Sequence, residues 1–73
     1  MYFFRCDTMS IDALLDGRTI LFLAKDLSLN RGVLSEILHG KVGCKYEYAK
    51  RLVDRVRPGE SVEYYFILKE DGR

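Results

Sequence analysis

A chain of 73 residues, 48% hydrophobic and 32% charged, is globular in composition and long enough for one small domain, with a core near the lower limit for independent stability. No Gly/Ser linker, low-complexity run or internal repeat divides it, and its longest apolar runs, such as Ile20 to Ala24, are too short to span a bilayer. The opening Met1-Tyr2-Phe3-Phe4 lacks the charged start and long apolar body of a signal peptide, so a cytoplasmic location is expected.

Taken in chain order, Tyr2 to Cys6 has strand-like composition, and Ser10 then offers an N-cap to a short helix, Ile11 to Asp16, closed by Gly17. Thr19 can cap the next helix, which runs to about Leu27 with Leu23, Ala24 and Leu27 on one face. Leu29 is the apolar residue of a tight bend, and Asn30 is an N-cap for a helix from Arg31 to Leu38 that turns Leu34 and Ile37 inward. Gly40 is a C-cap candidate and opens a loop that runs to Cys44. Ala24 is small at the point where the two helices would cross, as a helix-turn-helix requires.

From Lys45 to Arg57 the spacing of Tyr48, Leu52 and Val56, with Ala49 and Val53 beside them, predicts an amphipathic helix stopped by Pro58-Gly59. Ser61 to Lys69 is rich in aromatic and β-branched residues and reads as a strand, too apolar on both faces to stand alone. An antiparallel ribbon of Tyr2 to Cys6 with Val62 to Leu68 would satisfy many of its backbone groups and still leave an edge. The sticky residues Tyr64, Tyr65, Phe66, Ile67 and Leu68 are therefore expected to form a dimer or partner surface, the alternative being that they pack over the helices as core.

Over roughly residues 10 to 57 the chain resembles the Cro and phage-repressor family of helix-turn-helix proteins. The family's small alanine falls on Ala24, and its inward apolar positions fall on Leu23, Leu27, Leu29, Leu34 and Ile37. Its serine-rich second-helix start falls on the less usual Asn30-Arg31-Gly32, and Ser28 stands where a glycine is usual in the turn. His39-Gly40-Lys41 and Tyr48-Ala49-Lys50-Arg51-Leu52 look like the family's exit from the recognition helix and its next helix. The resemblance implies one mainly α domain spanning residues 1 to 73, with four to five Cro- or repressor-like helices and a short terminal β-ribbon. It also implies a regulator of the kind carried by phages and mobile elements, dimerising through a C-terminal strand as some Cro-like proteins do.

The net charge of +1 is weak support for DNA binding, but it is unevenly spread. Lys41 to Arg57 carries six basic residues against Glu47 and Asp54, a net of +4, and the rest sums to −3. Basic side chains just after a reading helix can neutralise phosphates and fix that helix in the groove. On the helix from Arg31, the residues not needed for the core are Arg31, Gly32, Ser35, Glu36 and His39, which would face the major groove. Arg31 could contact guanine O6 and N7, Ser35 is adaptable, Glu36 could accept from cytosine N4, and Gly32 permits close approach. Thr19, Asn30, Lys41, Lys45 and the Tyr46 hydroxyl complete the expected DNA-binding set.

The leading expectation is thus a sequence-specific transcriptional regulator that binds a double-stranded operator as a homodimer, with half-sites about one helical turn apart. The alternative is an antirepressor, which would bind a partner repressor and block its DNA binding. The low net charge, Glu36, an acidic amino-terminal third (Asp7, Asp12, Asp16, Asp26) and the apolar terminal strands point that way. Catalysis is not expected, because His39 has no nucleophile or carboxylate at a motif spacing and no phosphate loop is present. Cys6, Cys44 and His39 are too scattered to suggest a metal site, and no cofactor is called for.

Overall fold

Hydroxyl and amide side chains set where the helices begin. In the computed structural model, which describes residues 1–69, strand β1 (Tyr2–Phe4) precedes helices α1 (Ile11–Leu15), α2 (Ile20–Leu27), α3 (Arg31–Leu38), α4 (Tyr46–Val56) and α5 (Val62–Tyr65), and strand β2 (Phe66–Leu68) follows them. Ser10, Thr19 and Asn30, the three expected caps, accept hydrogen bonds from the backbone N–H of Ala13, Phe22 and Val33, each at 3.0 Å. Each satisfies one of the orphan donors that a helix start leaves behind. Lys45 caps α4 through its backbone conformation alone.

The bend between α2 and α3 is closed at Ser28, which takes a left-handed conformation with φ of 58° and donates its N–H to the carbonyls of Ala24 and Lys25. Leu29 N–H adds a 2.8 Å bond to the Ala24 carbonyl. The serine therefore does sit where glycine would be easier. At the other end of α3, Gly40 has φ of 76°, and the Gly40 and Lys41 amides bond back to the carbonyls of Ile37 and Glu36. That pair of bonds is a Schellman ending, and the positive φ is why glycine serves at position 40.

The core lies between the helices and the inner face of the sheet. Leu14 from α1, Leu23 from α2, Leu34 and Leu38 from α3, Leu52 and Val53 from α4, and Phe66 from β2 are fully enclosed. Ala24, 2% exposed, is buried on α2, the helix that packs against α3. Ala49 and Val56 join the α4 stripe, while Tyr48 is half-buried and its hydroxyl is enclosed without a hydrogen-bond partner.

β1 and β2 pair antiparallel in the register Tyr2 to Leu68, Phe3 to Ile67 and Phe4 to Phe66. The Met1 ammonium and the Lys69 N–H extend the ladder, donating to the Lys69 and Met1 carbonyls respectively. On its other side β1 is bridged through Tyr2 to Cys44 by two backbone bonds of 2.7 and 2.8 Å. β1 is thus flanked on both sides, and among the described residues the free edge belongs to β2.

Two expectations for the ends of the chain need correction. β1 stops at Phe4 because Cys6 N–H turns back onto the Phe4 carbonyl, and Thr8 and Met9 close onto Arg5. Residues 61 to 69 are not one strand: Ser61 accepts from Glu63 N–H and starts α5, which places Val62, Tyr65 and Phe66 against the core. The 62/65/66 spacing is helical, and a strand through Val62 would have turned Tyr64 inward instead of Tyr65. The Tyr65 hydroxyl donates to Glu60 at 2.5 Å, which fixes the turn before α5.

Candidate nucleic-acid interface

The inward positions of α3 are Leu34, Ile37 and Leu38, so at 3.6 residues per turn the opposite strip is formed by Gly32, Glu36 and His39. Arg31 and Ser35 flank that strip on the side of α2, where Ile20, Leu21, Arg31, Gly32 and Ser35 line a cleft of about 360 Å³. Arg31, Gly32, Glu36 and His39 are exposed and Ser35 is half-buried. The helix start thus presents one guanidinium, one glycine and one carboxylate to solvent, a set able to meet base edges that offer both acceptors and donors.

Several of the expected contact residues already have work within the fold. Thr19 and Asn30 each use a side-chain lone pair as a cap, which leaves the Thr19 hydroxyl proton and the Asn30 amide N–H groups facing outward. His39 Nδ1–H donates to the Ser35 carbonyl at 2.7 Å and lies 3.3 Å from the Ser35 hydroxyl. That bond places the proton of the neutral imidazole on Nδ1 and leaves Nε2 as an acceptor. Tyr46 is exposed along part of its ring and packs on Tyr2, with centroids 5.5 Å apart.

The basic run after α3 divides into two groups. Lys50 pairs with Asp54 at 3.2 Å, Arg51 donates to the Leu27 carbonyl at 2.6 Å, and Arg55 pairs with Asp26. Arg57 reaches Asp16 at 3.2 Å and the Ala13 carbonyl at 2.5 Å. These four side chains brace α4 against α1 and α2 or along itself. Among the described residues, the side chains of Arg31, Lys41 and Lys45, at the two ends of α3, have no hydrogen-bond or ion-pair partner, and the same holds for Lys25 on α2, so these cations are left for an anionic ligand.

Of the expected partner surface, Tyr65 (4% exposed) and Phe66 (1%) are core residues and cannot reach another molecule without unfolding. Tyr64, Ile67 and Leu68 are exposed, Leu68 at 63%, beside the open edge of β2. Sequence reasoning also missed the exposure of four apolar residues: Leu21 (47%), which lines the cleft beside α3, Phe22 (48%) next to it on α2, Val33 (45%) on α3 and Val42 (39%) in the loop after it. The signal for Val33 was available, because Leu34, Ile37 and Leu38 together fill the inward arc of α3 and leave Val33 outside it.

No cluster of three His, Cys, Asp or Glu residues that could hold a metal is found among the described residues. Cys6 is exposed and Cys44 buried, both as free thiols. Burial pushes the Cys44 thiol up to about 11, which keeps it protonated and unreactive. Among the described residues no helix is long and apolar enough to cross a membrane. No family model, curated protein or solved structure matches the chain.

Proposed function

We propose that this protein is a sequence-specific DNA-binding transcriptional regulator of the Cro and phage-repressor type, with α2 and α3 as its helix-turn-helix and α3 as the reading helix. The observation that carries this reading is the outer face of α3, where Arg31, Gly32 and Glu36 are exposed beside a side-chain-capped N-terminus and the side chains of Arg31, Lys41 and Lys45 have no hydrogen-bond or ion-pair partner among the described residues. Arg31 and Glu36 would read base edges, while Lys41, Lys45, Thr19, Asn30 and Tyr46 would hold phosphates. Ser35 and His39, tied to each other, would act as one unit at the far end of the strip.

In this reading the protein works in the cytoplasm, without catalysis or a cofactor, as a homodimer on a two-fold operator. The free edge of β2, with Ile67 and Leu68 beside it and Tyr64 nearby, is the surface through which a second copy would extend the sheet. The test is binding to the DNA upstream of its own coding sequence and to a random duplex of equal length, at two salt concentrations. Preferential, salt-sensitive binding with two chains per duplex is the expected result; a folded protein that binds neither duplex would overturn the reading.

The exposed Leu21 and Phe22 favour a second reading, in which the same helix-turn-helix docks on a partner repressor as an antirepressor. Apolar side chains of that size at the start of α2 would stand close to DNA phosphates in the first reading and would be covered in the second. Salt separates the two, since counterion release makes DNA affinity fall steeply with salt and a mainly apolar contact changes far less.

A further inference from the structure

We infer that Val33 is a specificity residue which reads the C5-methyl group of a thymine; this rests on the DNA-binding reading above. Val33 lies on the flank of α3 away from the α2 cleft, between Glu36 and Ile37 around the helix, and is 45% exposed. The strip of Gly32, Glu36 and His39 separates it from Leu21 and the cleft, so Val33 is not part of one apolar patch with the α2 residues. A valine in the first turn of a reading helix can bury its methyl groups against an apolar group of the ligand, and among the base edges of the major groove only thymine supplies one.

The neighbouring residues make that approach possible. Gly32 has no side chain to hold the helix away from the bases, and a Cβ built there would meet only the Asn30 carboxamide oxygen, at 3.2 Å. Asn30 is the cap of α3, so the glycine keeps both the cap and the close approach. Arg31, on the other side of Gly32, supplies the charge that attracts the duplex and a fork suited to guanine. The first turn of α3 therefore carries one polar and one apolar reader on either side of a glycine.

The experiment selects duplexes from a randomised pool with the wild-type protein, then replaces each thymine of the selected site, one at a time, by deoxyuridine, which lacks only the methyl group. Affinities are measured at one fixed salt concentration for wild type and Val33→Ala, with the fold of each confirmed by circular dichroism. Val33 is exposed and alanine favours helix, so the variant is expected to fold. Removal of the methyl at one thymine in each half-site should weaken the wild type by about three- to fivefold, the value of one buried methyl group. Val33→Ala, which changes both half-sites of the dimer, should bind the unmodified site about nine- to twenty-five-fold more weakly, the square of the single-methyl factor, and be indifferent to loss of that methyl, as a coupled pair requires. Equal losses for both proteins at every thymine, or no loss at any, would overturn the role of Val33 while specific DNA binding stood. Enrichment of no sequence by a folded protein would overturn the inference together with the DNA-binding reading.

Discussion

On α4 and at its C-cap, Arg57, four basic side chains are bound to carbonyls and carboxylates of the protein itself, whereas the side chains of Arg31, Glu36, Lys41 and Lys45, on α3 and in the loop after it, have no such partners among the described residues. The difference teaches that formal charge along a sequence is not charge available to a ligand. The net of +4 between Lys41 and Arg57 suggested one basic surface; most of it braces α4. Under the proposed reading stability and recognition fall to different helices, and single substitutions can test whether they separate.

The largest effect is expected from the core beneath both. Ala24→Leu forces three extra carbons into a buried position of α2, the helix that packs against α3, and should lower stability by about 1 to 3 kcal/mol in chemical denaturation, with DNA binding reduced as the helices part. Arg31→Ala should leave stability within about 0.5 kcal/mol of wild type and lose about 1 to 3 kcal/mol of specific DNA binding, relaxing preference at one base pair. Equal losses on specific and random duplexes would remove Arg31 from base reading. Arg51→Ala should do the reverse, lowering stability by about 1 kcal/mol through the lost bond to the Leu27 carbonyl while sequence preference stays unchanged.

Two smaller effects sharpen the contrast between frame and surface. Ser28→Gly should raise stability by about 0.5 kcal/mol, because glycine relieves the left-handed turn at some cost in unfolded-chain entropy. A fall in midpoint would mean that the bend needs serine for something besides its backbone. For the thiols, a reagent at mildly alkaline pH should modify Cys6 quickly and Cys44 only as the chain opens. Since the folded thiol of Cys44 titrates above its unfolded value of 9.0, its contribution to stability is complete below that pH and is lost as pH rises toward about 11. Cys44→Ala should remove that part of the alkaline loss, which denaturation at a series of pH values would measure.

The helix starts were legible because Ser10, Thr19 and Asn30 are short polar residues immediately before apolar periodic segments, and each cap is made through its own side chain. The end of α3 was legible from Gly40. The segment after Pro58 was misread because SVEYYFILK contains so many aromatic and β-branched residues that composition favoured a strand over the helical spacing of Val62, Tyr65 and Phe66. On the candidate site, the outward arc of α3 followed from its core positions, and Val33 was recoverable by the same count. The partners of Arg51, Arg55 and Arg57 were not, because Leu27, Asp26 and Ala13 become their neighbours only once α4 has folded back over the first two helices.

The ladder that joins Met1 to Lys69 spans 68 positions, which places the first and the last described elements side by side. During synthesis β1 is made before β2, and although Tyr2 can meet Cys44 once α3 is made, its pairing with β2 waits for all the helices between them. The α2–α3 pair, made from local contacts, can form while the chain is still growing; the β1–β2 pairing cannot. The growing chain would therefore hold β1 without its β2 partner until residues 66–68 are made, and closure of the ribbon would be the last step in assembling the described residues.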